Sequence, residues 1–447
     1  MNRRAFLRHA ALAGGAAMAT PFEALVARLA ADGRAGLVID GYGPLSPVRD
    51  DTTGLPLLQL PKGFRYLSYG WTGDPLDDGA RTPGSHDGMA AFPGRGSRVI
   101  LMRNHEGTRG PAFGAPVYDS AAGGGTTSLE FDTARGAWLG ARARLGGTLR
   151  NCAGGPTPWG SWLTCEETVF EPGPGAPWRR RHGYVFEVPV DGDATAEPLI
   201  ALGRFVHEAA AVDPATGIVY QTEDARQAGL YRFVPKHRDD LSRGGQLEML
   251  AVAGRPRFDT RSNVSSGTLL PITWVPIDLP DQSGRDGSGV FEQGARRGGA
   301  TFARLEGCTF SQGRLYVTAT SGGNARMGQV WELNPGAATL RLLFESPGPD
   351  VLNMPDNACP SPRGGLVLCE DGTMNPCVHG LTDEGQIFRF ARNNVVLDGS
   401  HHGIEGDFRS SEVAGATFSP DGQWLFFNVQ RPGFTVAVTG PWARGLF

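Results

Sequence analysis

The chain has 447 residues, with 42 Lys and Arg against 46 Asp and Glu and a formal net charge of −4. No basic block accompanies that balance, which argues against nucleic acid as a partner. A hydrophobic fraction of 40% excludes intrinsic disorder, and 65 Gly with 33 Pro favour short strands and tight turns over long helices.

The N-terminus reads as an export signal. Arg3 and Arg4 are followed by Ala5, Phe6, Leu7 and Arg8, then by an apolar stretch over residues 10–19. Ala17-Met18-Ala19 is an A-x-A cleavage candidate. The apolar run is too short to span a bilayer. Charge, apolar run and small residues in this order resemble a twin-arginine signal, with Asn2 where a Ser or Thr usually stands. The expectation is a signal and connector over 1–33 and one folded domain over 34–447. The mature protein is expected in the periplasm or secreted, as a monomer without membrane attachment.

Strand patterns begin around 36–42 and 63–69. Six stretches of one form follow, at 86–106, 151–167, 208–224, 306–323, 355–372 and 412–430. Each has a polar residue, an apolar run, a Pro/Gly turn, a second apolar run and a polar cluster. That is the pattern of a β-hairpin. Their spacing is slightly longer than a four-stranded propeller blade of ~40–50 residues. An all-β, six-bladed β-propeller is therefore predicted, since one sheet cannot bury both its faces alone. The wide gap before 306 holds a polar stretch, 263–300, read as a long loop or lid. Further strands are predicted at 183–189, 230–234, 329–333 and 386–390. The segment 434–442 is read as a strand that pairs with the N-terminal strands and closes the ring.

A hairpin brings its ends together, and equivalent ends in a propeller share one face near the axis. The candidates there are Glu106, Glu166, Glu167, Glu208, Glu223, Asp224, Glu306, Asp356, Glu370, Asp371 and Glu412, with Asn104, Asn151 and Asn357. Asp87 opens the first hairpin. The fourth unit lacks an acid at its far end. Repeated carboxylates repel one another, and bound hard cations are the usual resolution. Arg304 stands two residues before Glu306, so strand alternation points both to one face. It either neutralises a carboxylate or binds two oxygens of a substrate phosphate or carboxylate. His105 and His207 alternate away from Glu106 and Glu208 and read as packing or supporting residues. Trp159, Trp162, Trp424, Phe426 and Trp442 read as core between blades. The stretch 123–127 reads as a turn, with a weak anion-cradle alternative.

The six cysteines are Cys152, Cys165, Cys308, Cys359, Cys369 and Cys377. Cys152 and Cys165 flank the turn at Trp159, and Cys359 and Cys369 flank Gly364. Each pair reads as a disulfide or as two buried thiols. A Cys152 thiolate among carboxylates instead favours a transition metal.

Taken together, Asn104-His105-Glu106 and the stretches 124–129, 150–167, 203–224, 304–307, 355–372 and 412–442 resemble the PhoX-type alkaline phosphatases. The likeness runs from about residue 80 to the end. It implies a twin-arginine-exported six-bladed propeller that hydrolyses phosphate monoesters at a centre of Fe3+ and Ca2+. It also implies Cys152, Glu208 and Glu306 as metal ligands and Arg304 as the phosphate contact. Cys152, Arg304 and Glu306 are thus the expected catalytic set. Glu106, Glu166, Glu223, Asp224 and Glu370 are implied to complete the metal set. Two other readings remain: a calcium-dependent propeller lactonase or esterase, and a non-catalytic propeller with structural calcium. The first needs no thiolate, so Cys152 and Arg304 count against it; stoichiometric iron and turnover of a phosphomonoester would exclude the second.

Overall fold

The computed structural model describes residues 37–282, 284, 289–382, 385–443 and 446–447. The export signal read at Arg3 and Arg4 lies outside the described residues.

All six predicted hairpins are antiparallel strand pairs. Their first strands are His86–Pro93, Asn151–Pro156, His207–Val212, Leu305–Ser311, Pro355–Pro360 and Val413–Phe418. Each of these inner strands packs against the next, and the sixth packs against the first. Further strands extend each hairpin outward. Arg98–His105, for example, is followed by Gly124–Asp132 and Ala137–Thr148. The architecture is all-β and propeller-like, with one short α-helix, Gly289–Arg296, among the described residues.

The core lies between successive sheets, because each strand is apolar on the face its neighbour covers. Ala90 and Met102 of the first sheet meet Trp162 and Phe186 of the second. Leu163 then meets Val219 and Tyr231, and Tyr220 meets Trp331. Val330 and Phe344 meet Leu368 and Ile387, and Val378 meets Leu425 and Val436. Leu101 and Phe131 return to Phe426 and Ala437, which completes the cycle. Phe131 packs edge-on against Trp138, Trp424 and Phe426. Burying a side chain of that class contributes roughly 1.5–3 kcal/mol.

The C-terminal strand Phe434–Thr439 pairs with the early strand Arg65–Tyr69, as its β-branched alternation predicts. The last sheet therefore combines an early strand with three late ones. The stretch 263–300 departs from the lid reading. It contributes the strand Leu269–Pro276, which joins the third sheet to the fourth by pairing with Gly245–Val252 and Thr339–Glu345. The helix Gly289–Arg296 buries Val290 and Phe291 against the core. The alternation of Leu270 and Ile272 carries this strand, and the polar residues around it obscured that signal.

Candidate metal centre

The inner strands approach one another closely. A Cβ on Gly88 would sit 2.5 Å from Ala153 Cα, and one on Gly307 would sit 2.3 Å from Asp356 O. Both glycines directly follow acids, Asp87 and Glu306, so the acids are brought close to the axis. Four inner strands have register shifts between His86 and Met89, His207 and Ala210, Leu305 and Cys308, and Pro355 and Ala358. The other two shift around 151–154 and 414–417. An irregularity of this kind re-aims a side chain. The residue after the first paired position in each strand is Asp87, Cys152, Glu208, Glu306, Asp356 or Ala414. All but Ala414 carry a ligating group, and all six are buried.

A second set of equivalent positions lies at the far end of each hairpin. The N–H groups of Glu106, Glu167, Asp224, Thr320, Asp371 and Gln430 donate to the carbonyls of Ser85, Arg150, Val206, Arg304, Met354 and Glu412. These six bonds fix the register, so the six side chains occupy matching places.

The ligating atoms of Cys152, Glu167 and Glu208 lie within 4.8 Å of one another, as do those of Asp87, Glu106 and Glu412. Gln430 Nε2 joins the second group, donating to Glu106 Oε2 at 3.0 Å, to Asp87 Oδ2 at 3.3 Å and to Glu412. Arg304 sits in the left-handed region at φ 46° and reaches Asp224 at 2.9 Å, Asp371 at 3.4 Å and Glu306. Arg150, at φ 51°, pairs with Glu106 at 2.8 Å and Glu167 at 2.6 Å.

These groups are electrostatically strained without cations. Burial, then the charges of Asp356 and Glu167, raise the Glu208 carboxyl well above its ordinary value. Burial and Glu106 push Asp87 up to about 7. Burial, then Asp224 and Asp356, raise Glu306, and burial with Asp87 raises Asp356. The Cys152 thiol is raised by burial and by Asp87 and Glu208. Asp87 Oδ1 and Glu208 Oε1 are buried without a hydrogen-bond partner among the described residues. An oxygen-rich donor set with orphaned buried oxygens fits a hard cation, and the added thiolate fits a transition metal.

Three predicted ligands point elsewhere. Glu166 accepts from His182 Nδ1 at 2.6 Å and from the backbone N–H groups of Leu149, Gly183 and Tyr184 at 2.8, 2.8 and 3.1 Å. Glu223 accepts from Gly229 N at 2.9 Å and Tyr231 Oη at 2.8 Å. Glu370 accepts from Asn353 N at 2.7 Å and Cys377 N at 2.9 Å. In each acidic pair the first carboxylate ties its own sheet together, and the second, Glu167, Asp224 or Asp371, reaches toward the axis. Asn104 and Asn151 are likewise spent on structure. Asn104 donates to the carbonyls of Cys152 and Ala153, and Asn151 bonds Thr148 and Thr164. Asn357 binds Asp356 and the N–H of Gly415.

His105 bonds Gly84 O and Thr127 Oγ1, and His207 bonds Gly203 O, so both support the frame. Residues 124–127 belong to a strand and are neither turn nor cradle. All six cysteines are free thiols. Cys152 faces the acids, whereas Cys165 lies in the apolar core. Arg150 and Gln430 were not singled out from the sequence. Arg150 precedes the first paired residue of its hairpin just as Arg304 does, and that shared repeat position was the available signal.

A solved structure described as Pseudomonas fluorescens PhoX in complex with vanadate, a transition state analogue, is similar at 18% identity and a TM-score of 0.64. The likeness covers 89% of this chain and 98% of that one. A gluconolactonase from Xanthomonas campestris is similar at 14% identity and a TM-score of 0.45, covering 91% of this chain and 98% of that one. No curated protein matches. The family model described as alkaline phosphatase PhoX matches residues 40–143 and 139–433. The chain belongs to the PhoX family of alkaline phosphatases.

Proposed function

We propose that the protein hydrolyses phosphate monoesters at a metal centre on the axis of a six-bladed propeller spanning residues 34–447. The observation that carries this reading is the meeting of a buried thiol, buried carboxylates with orphaned oxygens, and a guanidinium at one end of six inner strands. Cys152, Glu167 and Glu208 are one ligand group. Asp87, Glu106 and Glu412 are a second. Asp224, Glu306, Asp356 and Asp371 surround the remainder of the site. The proposed cofactors are Fe3+ near the thiol and Ca2+ among the carboxylates.

Bound cations supply positive charge that offsets the acids and stabilises charge on phosphoryl oxygens. The protein's own groups do the rest. Arg304 presents planar N–H donors suited to two phosphate oxygens. Its ion pairs with Asp224, Glu306 and Asp371 aim it before substrate arrives. The close packing of the inner strands holds the ligand positions in register, so little reorganisation accompanies binding.

Export of the folded, monomeric protein by the twin-arginine route to the periplasm or medium belongs to the same proposal. Arg3 and Arg4 followed by the short apolar run support it. Replacing both arginines by lysine should retain the protein in the cytoplasm. The deciding experiment for function uses protein purified from an export-competent host. It should contain iron and calcium, hydrolyse an aryl phosphate monoester, and lose turnover on chelation. Turnover of a lactone without phosphatase activity would overturn the proposal.

A further inference from the structure

We infer that Glu370, Cys377 and His379 form a second metal site, separate from the axial centre, that binds a borderline divalent cation such as Zn2+. The strands Leu366–Glu370 and Cys377–Leu381 pair antiparallel, with Leu368 opposite His379. Strand alternation puts Cys377 and His379 on one face and brings Glu370 to the same face. Their ligating atoms lie within 4.8 Å of one another. All three are buried, at 5%, 3% and 1% exposure.

A thiol, an imidazole and a carboxylate are a ligand set that zinc takes, at about 2.0–2.3 Å from the ion. A modest side-chain adjustment brings these three to such distances. The second, independent sign is His379 itself. Its Nε2 pairs with Glu370 Oε1 at 2.9 Å, whereas its Nδ1 has no hydrogen-bond partner among the described residues. A buried imidazole nitrogen without a partner is costly, and a cation between the three groups removes that cost. The Glu370 carboxylate is oriented by Asn353 N and Cys377 N, as supporting contacts orient metal ligands. His379 also lines a cleft of about 460 Å³ with Asp40, Gln59, Asp350 and Arg392.

The rival account is a buried Glu370–His379 ion pair with Cys377 as a bystander. Cobalt separates the two, because thiolate ligation gives Co2+ an intense near-ultraviolet band. The probe is Co2+ added to the Cys152→Ala protein, in which the axial thiol is gone. The expected result is one equivalent of Co2+ showing the thiolate band, displaced by Zn2+. The band should vanish when Cys377→Ser is added to Cys152→Ala. No thiolate band in Cys152→Ala overturns the inference, as does a band that survives the loss of Cys377. If the double variant fails to fold, His379→Gln in the Cys152→Ala background replaces it, with at least ten-fold weaker Co2+ binding expected. Unchanged binding there also overturns the inference.

Discussion

Glu166 and Glu167 are adjacent acids with opposite tasks, and their replacement should give opposite results. Glu166→Ala removes the acceptor for three backbone N–H groups and for His182 Nδ1, all buried. An orphaned buried donor costs roughly 1–3 kcal/mol. Three backbone donors alone then cost about 3–9 kcal/mol, and water entering the gap favours the lower end. With an unfolding entropy of roughly 2.1 cal/mol/K per residue, a chain of this length loses about 1 °C of Tm per kcal/mol. A fall of about 3–6 °C is expected in the metal-free protein, with metal binding per folded molecule retained. Glu167→Gln removes charge from the group with Cys152 and Glu208 and leaves the sheet bonds intact. Its metal-free Tm should match wild type, while metal content and phosphatase activity fall. The assay is calorimetry on chelated samples beside elemental analysis of loaded ones. If Glu166→Ala loses metal at an unchanged Tm, the assignment of the two acids is reversed.

Arg304→Ala should retain near-normal metal content but lose roughly ten- to a hundred-fold in kcat/KM, from charge-assisted bonds of about 1.5–3 kcal/mol, with weaker inhibition by inorganic phosphate. Loss of metal instead would make Arg304 a structural counter-charge. Cys152→Ala should lose iron and activity together, whereas Cys165→Ala, in the apolar core, should lose stability and keep its metals. The metal-free protein should be less stable at pH 8 than at pH 6.5, a window above the range in which the buried neutral His86, His105 and His207 act with the opposite sign. Asp87 rises to about 7 and Glu223 to about 8 when folded, against about 4 for exposed carboxyls. The folded state therefore binds more protons than the unfolded chain in that window, and stability falls as pH rises through it. Added Ca2+ should flatten the fall by replacing the protons at the axial acids. Melting curves across pH, with and without Ca2+, check this, and a chelated protein more stable at pH 8 would refute it.

The hairpins were legible because their apolar runs and Pro/Gly turns are local signals. So was the closing strand at 434–439, whose alternation needs no tertiary information. The choice between neighbouring acids was not legible. In Glu166-Glu167, Glu223-Asp224 and Glu370-Asp371, either residue satisfies the pattern. The outcome depends on which carboxylate finds the N–H groups of nearby loops and the adjoining strand. The strand at 269–276 was hidden because polar and glycine-rich sequence surrounds it on both sides. Arg150 was legible in principle, by aligning the hairpins on their first paired residue, but a lone arginine before Asn151 carries no signal by itself.

The pairing of Arg65–Tyr69 with Phe434–Thr439 sets an order of events. The sheet that carries Glu412 and Gln430 is complete only when Phe434–Thr439 has joined Arg65–Tyr69. On the proposed reading, the ligand set is complete only once this strand has joined its sheet. Whichever compartment the ring closes in is the compartment whose ions first meet a complete site.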